Sequence, residues 1–287
     1  MKHVEAETTK FSERMRDAVS SNTPLRSLAS NFSKTARNAL NEANALEIEE
    51  VNIALERLPK KLDGLQIVQL SDIHHSPFTD LNHIERAIEI TNELEPDLVL
   101  LTGDYVSHDA AYIAPVAKAL GRLEPKYGSF ACLGNHDHWT DAEQTVRALT
   151  KEGITVFVNS GERFTANDAS IWLCGVDDYQ AGKTDIAAAL RGSYEDEMKI
   201  LLAHNPVILR QAVKFDIDLI FSGHTHGGQV KLRENENKRL GKRRLSNGLH
   251  HRKDTQIYIT RGIGTVVLPV RFQCPPEISQ IKLRCKS

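Results

Sequence analysis

Thiols and aromatic rings are scarce in this 287-residue chain. Its four cysteines, at 132, 174, 274 and 285, stand far apart, with no Cys-x-x-Cys pair. That excludes a dense disulfide framework. A chain long enough to bury a real core is expected to keep them reduced and mostly buried. Aromatic residues make up 6%, too few for the stacking platforms that grip single-stranded nucleic acid, so no specific nucleic-acid partner is expected. A formal charge of −2 excludes a polycation built to coat a polyanion. No stretch approaches the ~18 uninterrupted apolar residues of a membrane span. The first residues show no apolar core with a cleavage site, so no signal peptide is expected. The excess is in histidine: there are 12, and they cluster.

Residues 1–45 are polar, with Leu25, Leu28, Phe32, Ala36, Ala39 and Ala43 recurring every three or four positions. That spacing is a helical stripe. It predicts an N-terminal extension, partly helical and weakly packed. The alternative is an interfacial helix, with Arg26, Lys34 and Arg37 on its polar face. From residue 46 to 287 the chain reads as one catalytic domain. Apolar residues alternate over 46–55, which predicts an edge strand. Further strands are expected over 65–70, 97–102, 129–133, 154–158, 170–175, 199–203, 219–222, 256–260 and 277–284. Helical patterns cover 81–95, 109–123, 141–151, 184–190 and 206–214. Strand–helix alternation in the first half and a strand-rich second half predict an α/β protein with one sheet packed on another.

Most strands in the central series run into residues that bind metals. The strand over 65–70 leads into Ser71-Asp72-Ile73-His74, and that over 97–102 into Gly103-Asp104. The next leads into Gly134-Asn135-His136-Asp137; the later ones lead into His204 and into Gly223-His224-Thr225-His226-Gly227-Gly228. In open α/β sheets ligands bind beyond the strand carboxyl ends, so five strand ends can converge on one crevice. The donors are Asp72, His74, Asp104, Asn135, His204, His224 and His226. Seven are too many for one tetrahedral ion. With one carboxylate bridging, they offer four ligands to each of two cations, a pair that can clamp a phosphate and acidify water. Oxygen and imidazole donors without thiolate suit Mn, Fe or Zn.

The ordered set Asp72-x-His74, Gly103-Asp104, Gly134-Asn135-His136-Asp137, His204 and Gly223-His224-x-His226 resembles the calcineurin-like metallophosphoesterase superfamily. Gly-His-Thr-His-Gly-Gly-Gln, Thr260-Arg261-Gly262-Ile263-Gly264, Leu-Pro-Val-Arg271 and Pro275-Pro276-Glu277-Ile278 resemble its bacterial phosphodiesterase branch that includes YkuE and YaeI. The resemblance implies a four-layer α/β/β/α sandwich, with two mixed sheets flanked by helices and a dinuclear centre between them. It implies one ion on Asp72, His74, Asp104 and His226, and a second on Asp104, Asn135, His204 and His224. By the same motif His136 contacts phosphate or protonates the leaving oxygen, and Asp137 holds its ring. Many members read Gly-Asp-x-x-Asp, whereas this chain has Ser107 at the last place.

The expected activity is metal-dependent hydrolysis of a phosphodiester, by in-line attack of metal-bound hydroxide with His136 assisting. The alternatives are a pyrophosphatase on a nucleotide-linked diacyl sugar and a phosphomonoesterase or cyclic-nucleotide esterase. Residues 231–253 hold nine Lys or Arg against two Glu, which predicts a basic surface loop near the site mouth. It is expected either to be simply solvated or to collar a polyanionic substrate or an anionic lipid headgroup, Arg243 and Arg244 included. Arg261 and Arg271 are candidates for bidentate phosphate contacts, with a structural ion pair the alternative for each. A cytoplasmic protein, peripheral on the membrane if the lipid reading holds, is the expectation.

Overall fold

A computed structural model describes residues 38–230 and 245–286. After a short helical segment at 38–42, the elements run β1 (Glu47–Leu55), β2 (Gln66–Leu70), α1 (Leu81–Glu93), β3 (Leu98–Thr102), α2 (Ile113–Leu120), β4 (Ser129–Cys132), α3 (Asn135–Thr140), α4 (Ala142–Lys151) and β5 (Thr155–Val156). The second half follows as β6 (Ser160–Ala166), β7 (Ala169–Gly175), α5 (Ile186–Ala189), β8 (Lys199–Leu202), α6 (Leu209–Ala212), β9 (Leu219–Ser222), β10 (Gly248–Arg252), β11 (Thr255–Ile259) and β12 (Glu277–Cys285). The strands form two six-stranded sheets, in the orders β1-β12-β2-β3-β4-β5 and β10-β11-β9-β8-β7-β6. Both are mixed: β12 runs antiparallel to β2, and β6 and β10 run antiparallel to their neighbours.

Alternation along the strands sorts apolar side chains to two faces. Ile67, Leu98, Leu100 and Phe130 of the first sheet meet Leu173, Ile200, Leu202 and Phe221 of the second in one core between the sheets. The opposite faces carry Val68, Val99, Leu101 and Ala131, packed under α1, α2 and α4, and Cys174, Leu201 and Ile220, packed under α5 and α6. The result is the α/β/β/α sandwich that the resemblance implied. Helix α1 shows why a helix forms there. The Asp80 side chain accepts from the His83 N–H at 3.0 Å, and Ile84, Ala87, Ile88 and Thr91 recur along one buried face.

The expected edge strand is β1, which among the described residues pairs with β12 alone. Two strands were not anticipated. β6 pairs with β7 through a turn whose central residues, Asn167 and Asp168, have φ of 50° and 55°. β10 corrects part of the loop expected over 231–253: residues 248–252 pair with β11. Residues 231–244 and 1–37 lie outside the described residues, and with them most of the basic segment and most of the N-terminal stripe. The stripe's last members, Ala39 and Ala43, are buried. The Ala39 carbonyl accepts from the Arg271 N–H at 3.0 Å, and Glu42 accepts from the Cys274 N–H at 2.5 Å. All four cysteines are unbridged, and three are buried.

The segment after β11 closes the site end of the first sheet. Ile263 and Gly264 donate N–H bonds to Ser71 and Asp72 at 3.0 and 2.8 Å. A Cβ on Gly264 would fall on the Ile73 carbonyl. Gly264→Ala is therefore expected to lower stability by about 1–3 kcal/mol, read as a shift in the urea midpoint with unchanged slope.

Candidate metal centre

The three parallel strands β2, β3 and β4 end side by side, as do β8 and β9 in the facing sheet. Their C-terminal turns continue the pairing without strand geometry. The Asp72 N–H bonds to the Gly103 carbonyl at 3.0 Å, and the His74 N–H to the Asp104 carbonyl at 3.0 Å. In the second sheet the Gly223 N–H bonds to the His204 carbonyl at 3.0 Å. Five of the seven expected donors have left-handed backbone: Asp72, His74, Asp104, His224 and His226, with φ between 50° and 68°. Such conformations cost of order 1–3 kcal/mol each in non-glycine residues and persist only where the surroundings enforce them. Here the strand ends and the bonds between turns enforce them.

The turned side chains meet in one crevice. His226 Nε2 lies 3.3 Å from Asp72 Oδ1 and 3.1 Å from His74 Nε2. On the other side, His204 Nε2 lies 3.1 Å from Asp104 Oδ2 and 3.3 Å from His224 Nδ1. Three clusters could hold a cation: Asp72 with His74 and His226, Asp104 with His204 and His224, and His74 with Asp104 and His136. Asp104 belongs to two of them. All these residues are buried except His224, which is half-buried. Asn135 is buried, and among the described residues neither its Oδ1 nor His226 Nδ1 has a hydrogen-bond partner. A buried polar atom left unpaired costs about 1–3 kcal/mol. The orphaned amide oxygen, the facing imidazole lone pairs and two buried carboxylates suit divalent cations.

Electrostatics point the same way. Burial pushes the Asp72 carboxyl up, but the imidazoles of His226 and His204 outweigh it and hold it below the usual range. Burial likewise opposes ionisation of Asp104, and His204 and His74 pull it well below. Burial lowers His74 to about 3 and His226 to about 4, so both are neutral near pH 7. His224 is also lowered, by burial and by His204. His204 is the exception. Burial opposes its charge, yet contact with Asp104 raises it to about 10. Its Nδ1 sits 2.7 Å from the Thr102 carbonyl. A carbonyl only accepts, so Nδ1 carries a proton, and the proton on Nε2 is the one a cation must displace.

His136 stands beside the donors. Its backbone N–H donates to Asp104 Oδ1 at 2.8 Å, and its ring meets His74 edge-on with centroids 4.7 Å apart. Ring Nδ1 lies 2.8 Å from the Ser107 carbonyl. The tautomer argument again puts the proton on Nδ1, which leaves Nε2 as the nitrogen that can address a ligand. The expectation that Asp137 holds this ring is corrected. Its carboxylate accepts instead from the N–H groups of Asp104, Tyr105 and Gly134 at 2.8–2.9 Å. It ties two turns together, while burial and the Asp104 charge push it up to about 7.

The two arginines expected at phosphate are also corrected. Arg271 is fully buried and directs its guanidinium at the carbonyls of Arg261, Gly262, Gly264 and Cys274. Arg261 pairs with Glu277, Glu47 and Glu49 and bonds to the Pro275 carbonyl. Both hold the segment that closes the site. Arg243 and Arg244 lie outside the described residues.

Three residues were not anticipated. Ser107 Oγ lies 3.3 Å from His74 Nδ1, so position 107 holds a donor ring through a hydroxyl. Gln69, fully buried, donates to Thr102 Oγ1 at 2.8 Å and to the Ser222 carbonyl at 3.0 Å, which joins the two sheets just below the crevice. Asp178, 1% exposed, leaves Oδ2 without a partner at the end of β7. The strand-end pattern extends to it through Gly175-Val176-Asp177-Asp178.

This sandwich, with its buried donors at the strand ends, defines a phosphoric ester hydrolase of the metallophosphoesterase type. The family model for calcineurin-like phosphoesterase matches residues 65–228, and the chain belongs to that family. It is 32% identical over 250 residues to the uncharacterized metallophosphoesterase YkuE of Bacillus subtilis, covering 85% of this chain and 87% of that protein. It is 32% identical over 224 residues to the phosphodiesterase YaeI of Escherichia coli, covering 76% and 82%. A zebrafish (Danio rerio) transmembrane protein with a metallophosphoesterase domain is 34% identical over 263 residues; the match covers 85% of this chain but 59% of that protein. Among the described residues no helix is long and apolar enough to cross a membrane. The sulfate thiohydrolase SoxB of Thermus thermophilus shares the fold, with a TM-score of 0.50 at 12% identity, over 72% of this chain and 53% of that one.

Metal loading is expected to release about one proton per chain at pH 8, from His204. Apparent affinity should then rise about tenfold per pH unit and level off above about pH 10. Calorimetric titration with Mn²⁺ in buffers of differing ionisation enthalpy measures the proton count; none released at pH 8 would place that proton elsewhere.

Proposed function

We propose that this protein is a phosphodiesterase that works with two divalent cations, Mn, Fe or Zn, held between its sheets. The observation that carries this reading is that six of the seven expected donors, from four strand ends, lie in clusters able to hold a cation, with Asp104 common to two of the clusters. Asp72, His74, Asp104 and His226 would hold one ion, and Asp104, Asn135, His204 and His224 the other. When bound, the cations supply charge that neutralises a phosphate and makes water more acidic.

The chain's own groups do the rest. The turns at the ends of the two sheets, with the 261–264 segment bonded to Ser71 and Asp72, fix the donors around a phosphate. His136, fixed through its Nδ1–H to the Ser107 carbonyl, gives the leaving oxygen the Nε2 proton of its imidazolium form as the P–O bond breaks, and is left as the neutral ring. The imidazole then regains a proton from the incoming water. Asp137, Gln69 and Ser107 keep the donor-bearing turns in place. The name of the YaeI relative supports a diester over a monoester.

Elemental analysis after Mn²⁺ loading should return two ions per chain; less than one would remove the basis of the reading. With a panel of mono-, di- and pyrophosphate esters, diesters should give the highest kcat/KM. His136→Ala should keep both ions yet lose about 10²–10⁴-fold in kcat on an alkyl diester. The loss should be smaller on a p-nitrophenyl ester, whose leaving oxygen needs no proton. Loss of metal in this variant would make His136 a ligand.

A further inference from the structure

Beside the donor cluster the surface opens into a trough of about 690 Å³, and His224 forms part of its wall. That volume is in the range of small-molecule sites. Five of the other lining residues are apolar, Pro206, Val207, Leu209, Leu245 and Leu249, beside the polar Asn205 and Thr225. Val207 and Leu249 are 38% and 41% exposed there. The turn that carries His204 into the crevice continues through Asn205 and Pro206 to Val207. One rigid turn therefore sets the spacing between the donors and the apolar wall. Arg210 and Arg252, both exposed, also line the trough. Among the described residues neither has an ion-pair or side-chain hydrogen-bond partner. Among the described residues the aromatic side chains in the lining are the imidazoles of His224, His250 and His251, with no Phe, Tyr or Trp, so it lacks the large rings on which nucleobases stack best.

We infer that the trough receives an aliphatic chain of the substrate, so that the enzyme acts on amphiphilic phosphodiesters, the phosphate at the donor cluster and the chain along Val207 and Leu249. This rests on the phosphodiesterase reading above and adds the substrate class to it. Aliphatic walls reward a chain through the water they release. The two guanidiniums, exposed and without partners among the described residues, complement an anionic headgroup lying across the rim. A polar sugar or a short alkyl group gains neither advantage.

The test compares p-nitrophenyl methyl phosphate with p-nitrophenyl decyl phosphate on the Mn²⁺-loaded full chain, in free solution below the micelle concentration. The ratio of kcat/KM, decyl over methyl, is expected to reach about tenfold or more. Val207→Asp and Leu249→Asp should each bring that ratio towards one, and turnover of the methyl ester by the same preparation reports that the variant is folded. Equal turnover of the two esters by the unmodified protein overturns the trough and leaves the phosphodiesterase reading standing. A decyl advantage that survives both substitutions overturns it too. So does an advantage seen only when the ester is carried in phosphatidylcholine vesicles, which would mark a surface effect. Hydrolysis of neither ester takes down the phosphodiesterase reading and the trough with it.

Discussion

Two buried carboxylates and four imidazoles occupy a crevice that water hardly enters, and most of the architecture exists to keep them there. Such a set is unstable by itself. Asp72 and Asp104 repel each other, His74 and His226 face one another with lone pairs, and a proton on His204 supplies the positive charge that balances Asp104. The surrounding groups answer that load. Gln69 ties the sheets together immediately beneath it, and Arg271 fixes the carbonyls of the closing segment. Asp137 clamps the turns after β3 and β4 by their N–H groups. None of these three side chains needs to touch a substrate. Each restricts where the donors can go, as preorganised sites require.

Much of this was legible in the sequence. Strands buried on both faces read as continuous apolar runs, which is why β2, β3, β8 and β9 stood out. Glycines beside the donors marked where the chain leaves the sheet. The unread parts have physical reasons. β6 is a half-exposed strand, with Glu162, Arg163 and Thr165 along it, and its alternation is diluted by polar residues on both faces. β10 carries two histidines and an arginine, and it was hidden inside a stretch whose charge suggested a loop. α3, which was not among the expected helices, begins at Asn135 itself, so the Asn135-His136-Asp137 motif is the first turn of a helix.

Side-chain roles were less legible than side-chain identity. The family motif implied that the Asp137 carboxylate, next to His136 in sequence, supports its ring. In space they diverge, because consecutive helical residues point about 100° apart. Arg261 and Arg271 looked like phosphate ligands by type alone. In the folded chain five backbone carbonyls and three carboxylates use up their donors. Position 107 shows the converse: the departure from the family pattern places a hydroxyl within 3.3 Å of His74, where a ring nitrogen can still be met.

The left-handed backbone at Asp72, His74, Asp104, His224 and His226 also restricts how this site can change. Branched aliphatic residues fit that conformation badly; asparagine, aspartate, histidine and glycine fit it best. The main chain thus preselects side chains with polar or no substituents at the very positions that face the crevice. A lineage that abandoned the chemistry could not simply refill the cavity with valine or isoleucine. It would have to rebuild the turns first, so the pocket's geometry outlasts its use.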